Sequence, residues 1–600
     1  SWGGAALRVD LAKSSITSTP ALKGTSDWQT VELYLSAENL QKTAECTQGQ
    51  LRPAISYENF TGEVWVDDME LIALPYTLEL GQTSLTLTQG DTQQLTTNAP
   101  DGETLTWASS DEAVATVSDD GTVTAVGRGG ATITATAPSG SSASCTVSVI
   151  DAAMESEFAA MRDKWVERLT GNSYWAEDAT SEEYKTILAG YDEAAKTAQD
   201  HLVDNSADML FNDLNLDFDK IYGSPSTDSN DSVDYSTAIS RIQDMARAWA
   251  AKGSQYYQNE ELKADILYAM EWAYDHFYNE KLDNQAMFGN WYHWWIGIPQ
   301  NLAGAVILMH DAMSPELLQK EAAALQHFNE DPAWVYKVKG AAGKMDMTGG
   351  NLADTSLASL LRGAACSDQT AVINGTKYFD QIVKVVTSGE GIYADGSFIQ
   401  HTNLAYTGGY GATLLNGVEK LVYLTAGSGW SISADQLGVV YDWIWNGIRP
   451  LYANGAMFDM VNGRGVARPS SSALKTGRGI LAAVPLLAES APADRKADLQ
   501  GFAKAQLQAG AEAMGESEYY SGMNAAAMMS ALALVNDETI QAVPNTGYAK
   551  VFGSMDKAVA HSDTFGFGIS YASGRSGRME FGNEENKTGW HQSDGATYLY

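Results

Sequence analysis

The run Asp151-Ala-Ala-Met154-Glu-Ser-Glu-Phe158-Ala-Ala-Met161-Arg-Asp-Lys-Trp165-Val-Glu-Arg-Leu169-Thr-Gly171 decides the fold. Upstream of it apolar and polar side chains alternate. From Met154 onward the apolar ones recur at spacings of four, three, four and four, the period of an amphipathic helix, and Gly171 stands where such a helix would stop. Leu262, Ile266, Met270, Ala273 and Phe277 form a second stripe, and further apolar helical runs occur near 299–314, 316–328, 355–365, 411–427, 436–447, 473–489, 496–511 and 523–535. Met and Trp on such stripes read as core rather than as ligands. Many helices joined by short links, with almost no strand signal, predict an all-α layer architecture of stacked or circularised hairpins over residues 151–542. No repeat of fixed length is visible, which argues against a solenoid.

On the N-terminal side, residues 77–150 form a Thr-, Ser- and Gly-rich β unit. Its runs Leu105-Thr-Trp107-Ala-Ser-Ser-Asp111-Glu-Ala-Val114-Ala-Thr-Val117 and Asp120-Gly-Thr-Val123-Thr-Ala-Val126 resemble a bacterial immunoglobulin-like domain of the second group. That resemblance implies a spacer on a secreted or surface protein. Residues 1–76 alternate as in Trp28-Gln-Thr-Val31-Glu-Leu33-Tyr-Leu35 and predict a β-sandwich. Its closing run Gly62-Glu-Val64-Trp65-Val66-Asp67-Asp68-Met69-Glu-Leu71 resembles the last strand of carbohydrate-binding jelly-roll modules; a plain structural sandwich is the alternative. At the other end, 543–600 returns to alternation in Phe565-Gly-Phe-Gly-Ile-Ser-Tyr571 and Thr597-Tyr-Leu-Tyr600. This is expected to be the start of a truncated antiparallel β-sandwich domain, poorly supported unless it packs on the helices.

Six hundred residues imply several domains. With 38 basic and 75 acidic side chains the formal charge is −37, which argues against nucleic acid as a partner. An acidic substrate would need a locally basic cleft. No apolar run is long enough to span a membrane. Cys46, Cys145 and Cys366 lack metal-ligand spacing and read as buried thiols. The chain opens on Ser1-Trp-Gly-Gly without a signal-like segment and reads as a processed or trimmed piece.

Five stretches carry chemistry. Asp395-Gly-Ser-Phe-Ile-Gln-His401-Thr-Asn-Leu-Ala-Tyr406-Thr-Gly-Gly-Tyr410-Gly gathers an imidazole and two phenols. On a continuous helix His401 and Tyr410 would point to opposite faces, so the glycines must break the helix if the two are to act as an acid/base pair. Asn290-Trp291-Tyr292-His293-Trp294-Trp295 holds too many rings for one helix face to bury, and exposed rings stack on sugars; an aromatic core corner is the alternative. Thr348-Gly-Gly-Asn351 offers an amide, or simply a helix cap. Asn462-Gly-Arg464-Gly-Val-Ala-Arg468 sets two guanidinium groups among helix breakers, suited to carboxylates. Glu580-Phe-Gly-Asn583-Glu-Glu585-Asn586 is a polar turn.

In this order the stretches resemble polysaccharide lyase family 8, the hyaluronate, chondroitin and xanthan lyases, from about Trp165 to Tyr600. The family pattern reads Asn-Trp-Trp-x-x-x-Ile-Gly, with Tyr292 here at the second Trp, then Gly-Asn, Asp-Gly-Ser-x-x-x-His-Thr-Asn-x-Ala-Tyr-Thr-Gly-x-Tyr-Gly, Gly-Arg-x-x-x-Arg and Glu-x-x-Asn-x-Glu-Asn-x-x-Gly-Trp. The resemblance implies an incomplete (α/α) toroid followed by antiparallel β domains. It sets Asn351, His401, Tyr410, Arg464 and Glu580 at catalytic positions. Asn290, Trp291, Tyr292, Trp295, Arg468 and Asn583 fall at substrate-binding ones. His293 and Trp295 depart from the residues common there, and Met345 stands where some hyaluronate lyases have Phe, which bears on substrate choice.

The implied reaction is β-elimination on an acidic uronate polysaccharide by a secreted or cell-surface monomer, with no cofactor for the chemistry and a structural calcium left open. Asn351 would neutralise the substrate carboxylate. Tyr410 would protonate the leaving oxygen, either Tyr410 or His401 would take the C5 proton, and Glu580 would hold Arg464 or His401. The alternatives are an (α/α) glycoside hydrolase, which would need two flanking carboxylates, and a non-catalytic polysaccharide-binding adhesin.

Overall fold

The structure is a computed structural model. It describes residues 77–600 apart from 101, 178–179, 205, 207, 217–228, 339–340, 342 and 583, together with two strands nearer the N-terminus. The chain divides into two compact units, Ser1–Tyr76 and Thr77–Tyr600. In the first, strands Ala6–Leu11 and Pro53–Glu58 pair antiparallel. The remainder of the expected 1–76 sandwich, with Cys46, lies outside the described residues.

The second unit opens with two small sheets. One has the order Ser84–Thr88, Ser142–Ile150, Gly129–Thr136, Thr106–Ser109, with its first pair parallel; the other runs Thr92–Gln94, Thr122–Ala125, Ala115–Val117. Alternation drives the inward residues Val123, Ile133, Cys145 and Val147 to full burial, as expected for sheets that share one core.

Strands give way to helix where the period changes. Asp151 caps helix Ala152–Thr170 by accepting from the Met154 amide at 2.8 Å, and Gly171 ends it at φ 69°. Met154, Phe158, Met161 and Trp165 are buried along its stripe. Among the helices that follow are Glu182–His201, Val233–Ala250, Glu260–His276, Ile298–Met309, Gly349–Cys366, Tyr410–Thr425, Ala493–Met514 and Ala525–Asn536. Gly349–Cys366 is buried on every face from Leu352 to Ala365, the mark of an inner helix. It lies close against Tyr410–Thr425, where a Cβ on Gly417 would stand 2.7 Å from that of Ala353. A buried ion pair, Arg168 to Glu419 at 2.7 and 2.5 Å, ties the first helix to the same inner layer. The run 473–489 divides into Ala473–Leu481 and Val484–Ala488, because Pro485 cannot continue the preceding hydrogen bonding.

Within the helical region the structure adds strands too short to leave an alternating signature. The set that matters is the four-stranded sheet Val385–Val386, Gly391–Tyr393, Phe398–Gln400, Leu404–Ala405. Beyond the helices, strands Tyr548–Phe552, Lys557–His561, Gly566–Tyr571 and Asp594–Leu599 form an antiparallel meander. It packs on the toroid. Tyr600 meets Phe458 edge to face at 4.9 Å, the Tyr600 hydroxyl donates to Asp459 at 3.0 Å, and the Ser554 amide donates to Asp395 at 2.9 Å. The loop between its last two strands carries Glu580 and Glu585 back to the helices.

Candidate active site

His401 sits at the turn between strands Phe398–Gln400 and Leu404–Ala405. It and Thr402 adopt φ of 53° and 73°. Two successive non-glycine residues in the left-handed region cost about 1–3 kcal/mol each, so the surroundings must hold them there. The chain then runs through Tyr406 and two glycines into helix Tyr410–Thr425. Turn and helix start together bring the His401 and Tyr410 rings to 4.3 Å. No helix runs through His401, and the one that carries Tyr410 begins only after the glycines, whose role is more specific than breaking a helix. A Cβ on Gly409 would lie 2.1 Å from the Tyr406 ring, and one on Gly463, itself at φ 54°, 2.2 Å from it. Both glycines make room for the Tyr406 ring, which stands edge to face with Tyr410 at 4.9 Å.

Glu580 is the hub. His401 Nδ1 lies 2.6 Å from its Oε1, and Arg464 Nη1 donates to the same oxygen at 2.6 Å. The Arg464 amide donates to Oε2 at 2.9 Å, and the Tyr406 hydroxyl also donates there. Burial works to raise this carboxyl. The bonds from His401, Tyr406 and the Arg464 amide, with the Arg464 charge, outweigh it and hold the group at about 2. It is therefore ionised and only an acceptor, so Nδ1 is the His401 nitrogen that donates to it, and in the neutral imidazole this tautomer puts the lone pair on Nε2. Tyr410 is pushed up by burial, against the pull of the Arg464 guanidinium, and is a neutral phenol at neutral pH.

Arg464 lies on a short 3₁₀ segment, Gly463–Ala467. Its Nε donates to Glu585 at 2.9 Å, and the exposed Arg468 Nε donates to the same carboxylate at 2.7 Å. The arginine bonds, that from Arg468 first, keep Glu585 below the usual carboxylate range. Asn351 occupies the first turn of helix Gly349–Cys366. The preceding Gly350 faces the Tyr410 carbonyl so closely that a Cβ there would meet it at 2.9 Å.

The aromatic stretch divides. Trp291 is half-buried and Tyr292 is 41% exposed, whereas Trp294 and Trp295 are 0% and 2% exposed. Trp294 and Trp295 thus lie in the core in this structure, as in the aromatic core corner. The cause is the π-helical turn His293–Gly297, whose wider circuit lets two successive indoles face the core. Asn290 Oδ1 accepts from the Tyr292 amide at 3.1 Å, and His293 Nδ1 lies 2.8 Å from Ser232 Oγ. Met345 is half-buried opposite Val335 in a two-stranded hairpin. Asn583 lies outside the described residues. Tyr406 and Glu585 were not singled out from sequence; the signal for each was its place within a stretch already rich in site residues.

Among the described residues no group of three or more His, Cys, Asp or Glu side chains could hold a metal ion. Cys145 and Cys366 are free thiols. No helix among the described residues is long and apolar enough to cross a membrane.

A helical toroid backed by an antiparallel sheet, with imidazole, phenols and guanidinium gathered at their junction, defines the class of toroid polysaccharide lyases. The chain belongs to polysaccharide lyase family 8. Residues 165–505 match the model of its N-terminal α-helical domain, 547–600 that of its super-sandwich domain, and 77–147 a bacterial Ig-like domain of group 2. The chain is 32% identical to the xanthan lyase of Bacillus sp. strain GL1, over 74% of this chain and 44% of the relative. It is 30% identical to the hyaluronate lyase HylB of Enterococcus faecalis, over 76% and 44%. It thus spans less than half the length of either. Among solved structures, a Paenibacillus xanthan lyase matches at TM-score 0.66 and 28% identity, over 74% of this chain and 40% of that one. A Streptomyces coelicolor chondroitin AC lyase in complex with chondroitin sulphate matches at 0.65 and 25%, over 74% and 57%.

Proposed function

We propose that this chain is the catalytic portion of a lyase that cleaves an acidic, uronate-containing polysaccharide by β-elimination, leaving a 4,5-unsaturated uronate end. The observation that carries the reading is the state of the carboxylates. Glu580 is ionised and held by four donors, and Glu585 is taken up by two arginines. Asp395 is spent on the Ser397 and Ser554 amides, each at 2.9 Å, and Asp459 on the Tyr600 hydroxyl and Asn462. Hydrolysis needs two carboxyl groups free to act on the glycosidic bond, one of them as an acid. None of these is free.

The groups that remain suit elimination. The C5 proton is weakly acidic while the neighbouring carboxylate keeps its charge, and we assign Asn351, an amide in the first turn of a helix, as the donor to that carboxylate as negative charge moves onto it; such a donor is worth about a hundredfold to a thousandfold in rate. His401 Nε2 takes the C5 proton, the C4–O bond breaks as the C4–C5 double bond forms, and the Tyr410 hydroxyl gives its proton to the departing oxygen. The imidazolium and phenolate left behind lie ring to ring, so the proton returns from one to the other and resets the site. Arg464 stabilises the transient phenolate, and Trp291 and Tyr292 offer faces to the sugar. Asn290, Arg468 and Asn583 complete the substrate contacts in this reading.

The polymer's size and the Ig-like unit favour action outside the cell. Product masses test the reaction: in elimination the two new ends together weigh what the cleaved chain weighed, whereas hydrolysis adds one water per cleavage.

A further inference from the structure

The strained His401-Thr402 pair raises the question of what holds it. Thr348 occupies the N-cap of the helix that carries Asn351, yet its side chain makes no capping bond. Its hydroxyl instead donates to Glu390 Oε2 at 2.7 Å, and Glu390 Oε1 accepts from the Thr402 amide, also at 2.7 Å. The vacant cap is supplied from the other side of His401, since Gln400 Oε1 accepts from the Gly350 amide at 3.2 Å and its Nε2 donates to the Thr348 carbonyl at 3.4 Å. Gly349, at φ 50°, must be glycine here, because a Cβ would stand 2.4 Å from Gln400 Oε1. The residues on both sides of His401 are thus fastened to the residues just ahead of Asn351.

We propose that Glu390 and Gln400 are positioning residues that lock the His401 imidazole at a set place relative to the Asn351 amide. The inference rests on the lyase reading above. In it, Asn351 must quiet the substrate carboxylate while His401 reaches the adjacent C5 proton, so the two groups must keep one spacing; displacements of about 1 Å in such a site cost about a hundredfold. Neither positioning residue need touch the sugar. Gln400 is 1% exposed, so Glu390, which is partly exposed, is the residue to change.

In the full chain, Glu390→Ala should lower kcat on a uronate polymer by about tenfold or more, with KM and Tm near wild type. Amide hydrogen exchange should quicken over 398–404 and not elsewhere. Glu390→Gln, which can still bridge both partners, should retain most of the rate. Thr348→Val combined with Glu390→Ala should be no worse than Glu390→Ala alone, because both break one connection. Wild-type kcat and exchange in Glu390→Ala, equal damage from Gln and Ala, or additive losses in the double variant would each overturn the inference. If the wild-type chain forms no unsaturated product, the lyase reading fails instead, and the exchange measurement still decides whether Glu390 holds the turn.

Discussion

Glu580 and His401 come from opposite sides of the site, one from the terminal β-sheet region and the other from the toroid, and meet at 2.6 Å. The bond fixes which imidazole nitrogen carries the proton. It also makes the site a joint product of the two layers, since the same carboxylate holds Arg464 and Tyr406. Glu580→Gln replaces an acceptor-only group with one that presents donors to donors. Steady-state kinetics should show kcat reduced by about a hundredfold or more, as when a catalytic histidine loses its orienting carboxylate.

The same carboxylate gives an acid-stability signature. Its folded value of about 2 lies below the ordinary carboxyl value of 4.5. A depressed carboxyl stabilises the fold above its unfolded value and loses that contribution as pH falls through the folded one. Denaturant titrations should therefore show wild type more stable than Glu580→Gln near neutrality, by on the order of 2–3 kcal/mol. The gap should shrink as the pH drops from 4.5 towards about 2.

Tyr410→Phe keeps the ring beside His401 and removes only the proton. Turnover should fall below detection while binding of the polymer, measured by calorimetry, stays close to wild type. Near-normal activity would show that the proton reaches the leaving oxygen from elsewhere.

The glycines separate into those that must be glycine and those that need not. Gly463→Ala adds a Cβ 2.2 Å from the Tyr406 ring at a φ of 54°, whereas Gly465→Ala meets nothing within 4 Å. Thermal melts and kinetics should show loss of both stability and rate for the first, by about 1–3 kcal/mol in stability, and little change for the second.

The helices were legible because a 3.6-residue stripe such as Met154, Phe158, Met161, Trp165 survives any tertiary context, and Asp151 and Gly171 mark its ends by local chemistry. The need to break the helix between His401 and Tyr410 was legible for the same reason. The means of doing so was not: strands of two or three residues show no alternation, and the left-handed pair at His401 and Thr402 contains no glycine to announce it. The burial of Trp295 was not legible, because a π-helical turn changes which faces successive side chains present. Glu390 and Gln400 left no mark, since a carboxylate or an amide near a turn has many uses until its partners are in view.

The most direct test is the ultraviolet absorbance of a conjugated uronate, followed as the chain acts on a panel of hyaluronan, chondroitin and xanthan without added metal. The account predicts that absorbance rises in step with chain cleavage on at least one of them. Cleavage with new reducing ends and no absorbance would contradict it and point to hydrolysis; binding without cleavage of any of them would point to an adhesin.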